Sequence, residues 1–457
     1  MNIPPQIRST VPGFIWPALP AATIQAHLAL LYQLERSQWW SPELLLEKQF
    51  VQLNALLEHS LATVPYYSDS LTAAGFETGM FWTPELWQKI PILSRAELQD
   101  AGTKLHSAAL PLGHGPTSVI SSTGSTGRPI QSVTTRIRQL FWEAITIREH
   151  LWQRRDASGK LASIRAFPSG SADYPDGAQG RDWGGAVALL FDTGPVAGLS
   201  VVSGVDQQAQ WLVNQAPDYL LTFPSALGAL AYYCLQNNIT VPSLRQARVI
   251  SEVLTADTRR VVREAWGIEI ADCYSASEMG YLALQCPDHE HFHIQSEVVY
   301  LEILRDDGSH CEAGETGRVV VTDLHNFAMP LIRYEIGDYA ELGPACSCGR
   351  GLPVINRVLG RVRNMLRLPD GSEVWPFVGG STYAELPAIR QFQIGQKSSE
   401  LLEMRLVTQR PLTTEEEIKL REIVLKRLGH HFEITLSYHD SIPRSAGGKY
   451  EDFKCEF

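Results

Sequence analysis

The stretch 219–274, YLLTFPSALGALAYYCLQNNITVPSLRQARVISEVLTADTRRVVREAWGIEIADCY, alternates between two kinds of segment. YLLTF (219–223), ARVIS (247–251) and IEIADCY (268–274) are short apolar runs of strand length. Between them, SALGALAYYCLQ and TADTRRVVREAW carry apolar residues at helical spacing. Strand, helix, strand and helix at this interval predict an α/β fold with a largely parallel sheet.

Working toward the N-terminus, SVISS (118–122) reads as a further short strand. Residues 20–63 read as helical, and Val64-Pro65 ends that run because proline disfavours helical geometry in the residue before it. Ser94, with Glu97 three residues on, has the pattern of a capping box. Toward the C-terminus the pattern changes near residue 295, where VVYLEIL and GRVVVTDL are short strands joined by the turn-rich DDGSHCEAGETG. Past Gly360 come strands near 401–408 and 432–438 with the charged helix TTEEEIKLREIVLKRL between them. The expected organisation is therefore a large N-terminal domain of layered α/β sheets, residues 1–361. It contains a β-rich subdomain at about 295–360, and a small α+β domain follows at 362–457, with a hinge near 361–365.

Composition narrows the function. A chain of 457 residues exceeds one ordinary core. Its net charge of −11 argues against non-specific nucleic-acid binding, which needs a basic footprint. No run of about 18 apolar residues is present, so no membrane-spanning helix is expected. The opening MNIPPQIRSTVPGF lacks a signal pattern, which makes a cytoplasmic protein the expectation. Seven cysteines, an odd count, fit a reducing compartment with free or metal-bound thiols.

Five segments carry candidate chemistry. SSTGSTGRP (121–129) follows a predicted strand, and its small residues let backbone N–H groups and hydroxyls cradle phosphate oxygens. No lysine follows its second glycine, so it is not a P-loop of the GxxxxGK[ST] kind. YSASEMG (274–280) ends the strand IEIADC, and the carboxyl ends of strands are where α/β sheets bind ligands. There Tyr274 is suited to stack on a base, Ser277 to bond phosphate and Glu278 to hold Mg²⁺. Asp338 in PLIRYEIGDYAEL is suited to accept bonds from ribose hydroxyls. Arg361 in GRVRNMLRLPDG is placed to reach ribose or phosphate, and Arg363 lies where the hinge is expected. Lys449 follows two glycines in PRSAGGKYEDF.

In order and spacing these five segments resemble the acyl-adenylate-forming superfamily of acyl-CoA synthetases, peptide-synthetase adenylation domains and luciferases. The likeness is greatest to its phenylacetate-CoA ligase-like branch and runs from about residue 45 to the end. It implies that Ser122, Thr123, Gly124, Ser125, Thr126 and Gly127 clamp the ATP phosphates and that Tyr274 packs on adenine. Ser277 and Glu278 would contact phosphate and Mg²⁺. Glu252 would hold the adenine-side strand-end position, and Asp338 with Arg361 the ribose. Lys449 would contact the substrate carboxylate and the α-phosphate during adenylation, and the C-terminal domain would swing about Arg363 between half-reactions. Four positions depart from the family's pattern: Ile130 stands where many relatives have lysine, Ser275 and Ser277 replace glycine and threonine, and Arg363 replaces Asp or Lys.

The resemblance implies ATP-dependent activation of a small aromatic or cyclic carboxylic acid, with Mg²⁺, followed by transfer to the thiol of coenzyme A and release of AMP. An acyl carrier protein's phosphopantetheine, or an amine, is the alternative acceptor, and a non-catalytic ligand-binding relative the reading from a different class. Trp183, Phe223 and Tyr281 are candidate walls for the acid. Separately, Cys346 and Cys348 in ACSCGRG, with Cys286 and either His289 or His293 in CPDHEHFHI, supply a tetrahedral Cys₃His set for a structural zinc.

Overall fold

The structure, a computed structural model, describes residues 7–73, 75–121, 130–361, 365–374, 376, 386, 388–445 and 447–457. It divides into two compact units. Met1–Ser158, Asp182–Thr193 and Cys273–Val358 form the first, and Gly159–Arg181, Gly194–Asp272 and Leu359–Phe457 the second.

The second unit contains the parallel sheet that the alternating stretch predicts. Tyr219–Thr222, Gln246–Val249 and the start of Glu269–Ala276 pair parallel in that order. The helices Pro224–Gln236 and Ala256–Trp266 follow the first two strands. Thr255 caps the second helix by accepting the Thr258 N–H at 3.1 Å, and Gly267 stops it in the left-handed region. Leu161–Arg165 lies beside Tyr219–Thr222, with Val196–Ser200 beyond it, both parallel. The chain thus leaves two adjacent strands in opposite directions, which creates a topological switch point between Leu161–Arg165 and Tyr219–Thr222. Leu199, Leu212, Leu220 and Leu227 are fully buried around this sheet. Each such side chain contributes about 1.5–3 kcal/mol of hydrophobic stabilisation. The same unit carries a four-stranded sheet ordered Glu433–Tyr438, Leu401–Thr408, Ile389–Gln396, Phe453–Cys455. Helix Thr414–Leu428 packs on it through Leu420 and Val424, with a capping box between Thr413 and Glu416.

The first unit is antiparallel where it is sheet. Its strands run in the order Val299–Leu304, Thr316–Asp323, Tyr334–Gly343, Val354–Arg361, Phe292–Ile294, Gly280–Gln285. Antiparallel pairing therefore begins well before residue 295. GYLALQ gives no alternating signal because all six of its residues are buried. The expected helical run at 20–63 is two helices, Gln25–Ser37 and Pro42–Thr63, with Ser41 capping the second. The capping box at Ser94 and Glu97 is present. The strand expected in SVISS, Thr117–Ser121, stands outside the large sheet. It pairs with Gln131–Thr135 so that Ser121 faces Gln131.

Several charges are buried in pairs in this unit. Arg148 bonds Glu297 at 2.8 Å, and Ser37 donates to the same carboxylate. Arg333 bonds both oxygens of Glu302 at 3.1 Å, and the Trp87 indole adds a third bond. Each pair is satisfied by further hydrogen bonds, the condition under which buried charge is tolerated.

Candidate active site and metal centre

Strand Glu269–Ala276 ends in the first unit, where it delivers Tyr274 and then turns through Ser277, Glu278 and Met279 into Gly280–Gln285. The Tyr274 hydroxyl donates to Asp338 Oδ2 at 2.8 Å. Asp338 is presented just after Gly337, whose φ of +84° favours glycine. Two residues assigned from sequence to adenine and ribose are thus brought together across 64 positions. Ser277 is exposed in the turn and Glu278 is buried. Arg138, on helix Arg136–Trp152, fixes this turn by donating to the Glu278 carbonyl at 3.0 Å. Its Nε donates to Asp323 at 2.6 Å.

A pocket opens beside that turn, lined by Arg138, Phe141, Trp142, Tyr281, Asp323 and His325 among others, with about 310 Å³ of empty space, part of it open to solvent. Two stacked ring pairs form its walls: Trp142 on Tyr281 at 4.4 Å and Phe141 on His325 at 3.7 Å. Burial pushes the His325 imidazole down to about 4, so it is neutral at pH 7. Tyr281 is where sequence placed an acid-pocket wall. Trp183 and Phe223 are not in this pocket: Trp183 packs near His150 in the first unit, and Phe223 belongs to the core of the second. Their aromaticity reflects packing.

In the second unit, Lys449 lies on the loop leading to strand Phe453–Cys455, half-buried, its N–H donating to Ser445 Oγ at 3.1 Å. Gly448, at φ +80°, rests against the switch point; a Cβ there would stand 2.9 Å from the Phe223 ring and 3.1 Å from Ala166 Cβ. Glu252, three residues past the end of strand Gln246–Val249, accepts the Tyr450 N–H at 2.6 Å and the Ser225 N–H at 2.9 Å. Burial raises its pKa, with Arg444 at 3.6 Å opposing the shift. Arg361 closes strand Val354–Arg361. Ser122, Thr123, Gly124, Ser125, Thr126, Gly127 and Arg363 lie outside the described residues.

The cysteine cluster converges as spacing suggested, and the structure selects its histidine. One ligand atom each from Cys286, His293, Cys346 and Cys348 lies within 4.8 Å of all the others. The Cys286 and Cys346 sulfurs are 3.9 Å apart. Thiolates at about 2.3 Å from a tetrahedral zinc would stand roughly 3.8 Å apart. His293 Nδ1 bonds the Leu352 carbonyl at 3.2 Å, which leaves Nε2 facing Cys348 at 3.4 Å. His289 does not join; it is exposed and bonds Ser347 at 3.0 Å. Without a metal, burial pushes the Cys286 thiol up to about 12, a shift that coordination reverses.

This geometry can be set beside known proteins. Residues 369–455 match the family model described as the CapK C-terminal domain. A phenylacetate-coenzyme A ligase of Thermus thermophilus is 25% identical over 429 residues, covering 87% of this chain and 93% of the relative. The Escherichia coli protein of that name is 26% identical over 424 residues, covering 87% and 92%. Among solved structures, 2-hydroxyisobutyryl-CoA ligase in its postadenylation state superposes with a TM-score of 0.71, at 18% identity and 92% coverage of both chains.

Over most of its length the chain is similar to phenylacetate-coenzyme A ligases.

Several contacts at the candidate site were not read from sequence. Arg138, Phe141, Trp142 and Ile145 all line the pocket from one helix. Their i, i+3, i+4, i+7 spacing was a legible signal of a shared face, although it does not say what that face meets. Arg444 and Ser225 also went unread, because a carboxylate 192 positions away from an arginine leaves no trace in spacing.

Proposed function

We propose that this chain activates a small carboxylic acid with ATP and passes the acyl group to the thiol of coenzyme A. A substrate carboxylate oxygen attacks the α-phosphorus of ATP and pyrophosphate leaves, giving an acyl-adenylate. The coenzyme A sulfur then attacks the acyl carbon, losing its proton, and AMP departs with the electrons of the broken anhydride bond. Tyr274 and Asp338 hold the adenosine, Ser277 bonds phosphate, and Lys449 stabilises charge developing on the α-phosphate. Ser122 to Gly127 cover the phosphates, Arg361 assists at the ribose, and Arg363 is the pivot of a C-terminal domain beginning at residue 362. Glu278 would hold Mg²⁺, which when bound neutralises phosphate charge.

The observation that carries this reading is the Tyr274–Asp338 hydrogen bond at a strand end. The stacked pairs Trp142–Tyr281 and Phe141–His325 favour a flat, aromatic or cyclic acid. Cys286, His293, Cys346 and Cys348 would hold a zinc ion with all four positions filled by protein, a structural role. Among the described residues no helix is long and apolar enough to cross a membrane.

The test is acid-dependent pyrophosphate release from MgATP across aryl, heteroaryl and short aliphatic acids, with and without coenzyme A. Release by an aryl acid, with acyl-CoA formed on adding coenzyme A, is the expected result. Release without acyl-CoA moves the acceptor to a carrier-protein thiol or an amine, and no release from folded protein that binds ATP overturns the reading.

A further inference from the structure

We propose that Glu252 and Arg444 form a latch that seats the Lys449 loop on the carboxyl end of the parallel sheet, which makes Glu252 a positioning residue for adenylation. The inference rests on the role proposed above for Lys449, and it lies wholly within the second unit.

Both residues flanking Lys449 are anchored. On one side Gly448 faces Phe223 and Ala166, the residues that follow the two strands of the switch point, so closely that an added Cβ would stand 2.9 and 3.1 Å from them. No side chain larger than hydrogen fits there, and φ of +80° disfavours one as well. On the other side the Tyr450 N–H donates to Glu252 Oε1 at 2.6 Å. Arg444 ties the two ends of the loop together. Its Nη1 donates to the Gly448 carbonyl at 3.1 Å and to Ser225 Oγ at 3.0 Å, and its guanidinium lies 5.2 Å from the centre of the Tyr450 ring. Glu252 Oε2 in turn accepts the Ser225 N–H at 2.9 Å, the second residue of helix Pro224–Gln236. One carboxylate therefore joins the start of a helix at the switch point to the backbone beside the lysine.

This arrangement separates two roles for Glu252. Each Glu252 oxygen already accepts a protein N–H, one from the helix start and one from the loop, so the carboxylate is built into the seating of the loop. A group that seats the loop should matter only when Lys449 must reach the α-phosphate. In the second half-reaction the lysine has no developing phosphate charge to meet, so the latch is dispensable there.

The experiment uses the full chain. Glu252→Ala, Glu252→Gln, Arg444→Met and Gly448→Ala are compared in two assays: acid-dependent pyrophosphate–ATP exchange, using an acid found active in the panel, and coenzyme A-dependent consumption of the chemically prepared acyl-adenylate of that acid. All four variants should lower kcat for exchange, Glu252→Ala by roughly ten- to a hundredfold, as for loss of a charged hydrogen bond, with KM for ATP unchanged. Consumption of the adenylate should be unaffected. Gly448→Ala alters no charged group, so the same split from it excludes a purely electrostatic effect. An acid-independent readout is hydrogen exchange at the Tyr450 amide, which should quicken in Glu252→Ala. A rise in KM for ATP without a fall in kcat returns Glu252 to the adenine, and equal loss in both half-reactions makes it structural; either overturns the latch. If Lys449→Ala leaves exchange intact, the role of the lysine itself is wrong, and that failure is distinct because Tyr450 exchange still reports on the latch.

Discussion

The two units handle buried charge differently. In the first, Arg333 spreads four hydrogen bonds over Glu302 and two backbone carbonyls, and its side chain is 4% exposed. In the second, Arg444 meets Glu252 at 3.6 Å and is 15% exposed. The first arrangement is over-determined: removing one partner strands the other in a low dielectric. The second is looser: Arg444 donates to the Gly448 carbonyl and to Ser225 Oγ, and stands 3.6 Å from Glu252 without a hydrogen bond to it. The lesson is that these units put rigidity and adjustability in different places. The pocket and the cysteine cluster lie in the unit that holds the Arg148–Glu297 and Arg333–Glu302 pairs, while the candidate catalytic lysine hangs on a loop held at a few points.

That contrast can be broken most forcefully at Arg333. Arg333→Ala leaves the buried Glu302 with only the Trp87 indole at 3.1 Å and His310 at 3.7 Å, and should destabilise the first unit by about 3–5 kcal/mol, read by urea unfolding. A cost near that of an exposed pair would remove the basis of the comparison. Lys449→Ala should lower the adenylation rate by roughly 10²–10³ while leaving the unfolding midpoint unchanged. A large loss of stability instead would mean that the loop supports the fold. Next comes the metal: Cys348→Ser should abolish stoichiometric zinc, measured by elemental analysis of purified protein, and lower Tm without changing KM for ATP. A catalytic metal would show the reverse pattern. Tyr274→Phe removes the hydrogen bond to Asp338 and should raise KM for ATP by about tenfold, as for one hydrogen bond to a charged group.

The smallest expected effect sharpens the comparison through pH. Burial works to raise the Glu297 pKa, but Arg148 prevails and holds it below its ordinary 4.5. Glu252 is raised above 4.5 by burial. For Glu297 the unfolded chain binds more protons across the window below 4.5, so its stabilisation is complete above 4.5 and is lost as pH falls through the folded value. For Glu252 the folded chain keeps its proton in the window above 4.5, so stability declines there as pH rises. Unfolding measured against pH for Glu297→Gln and Glu252→Gln should therefore remove slopes of opposite sign. Slopes of the same sign would erase the distinction between the two sites.

Much of the parallel sheet was legible because its strands and helices differ in period and length. Tyr219–Thr222, Gln246–Val249 and Glu269–Ala276 fall where the apolar runs stand. LASIR and VAGLS, the strands Leu161–Arg165 and Val196–Ser200, were not read, since alanine, serine and glycine dilute the apolar signal. Of the candidate site, Tyr274, Asp338 and the cysteines were found by local chemistry or by resemblance, and the structure brings Tyr274 and Asp338 into contact. The choice of His293 over His289 needed three dimensions. Both are near Cys286 in sequence, but the strand Phe292–Ile294 turns only the former toward Cys348. The pocket walls Phe141, Trp142 and His325 come from elements nearly two hundred residues apart, and no spacing rule joins them.

The discontinuity of the second unit has a consequence for biosynthesis. Its last segment, Leu359–Phe457, leaves the ribosome after every residue of the first unit. A nascent chain that has reached Val358 already holds Tyr274, Asp338, Glu278 and all four members of the cysteine cluster, but it has no Lys449. On the role proposed for Lys449, the reactive anhydride would be made only by chains translated past that residue. A chain stopped at Val358 would carry the proposed nucleotide and metal ligands without the lysine proposed to complete the chemistry.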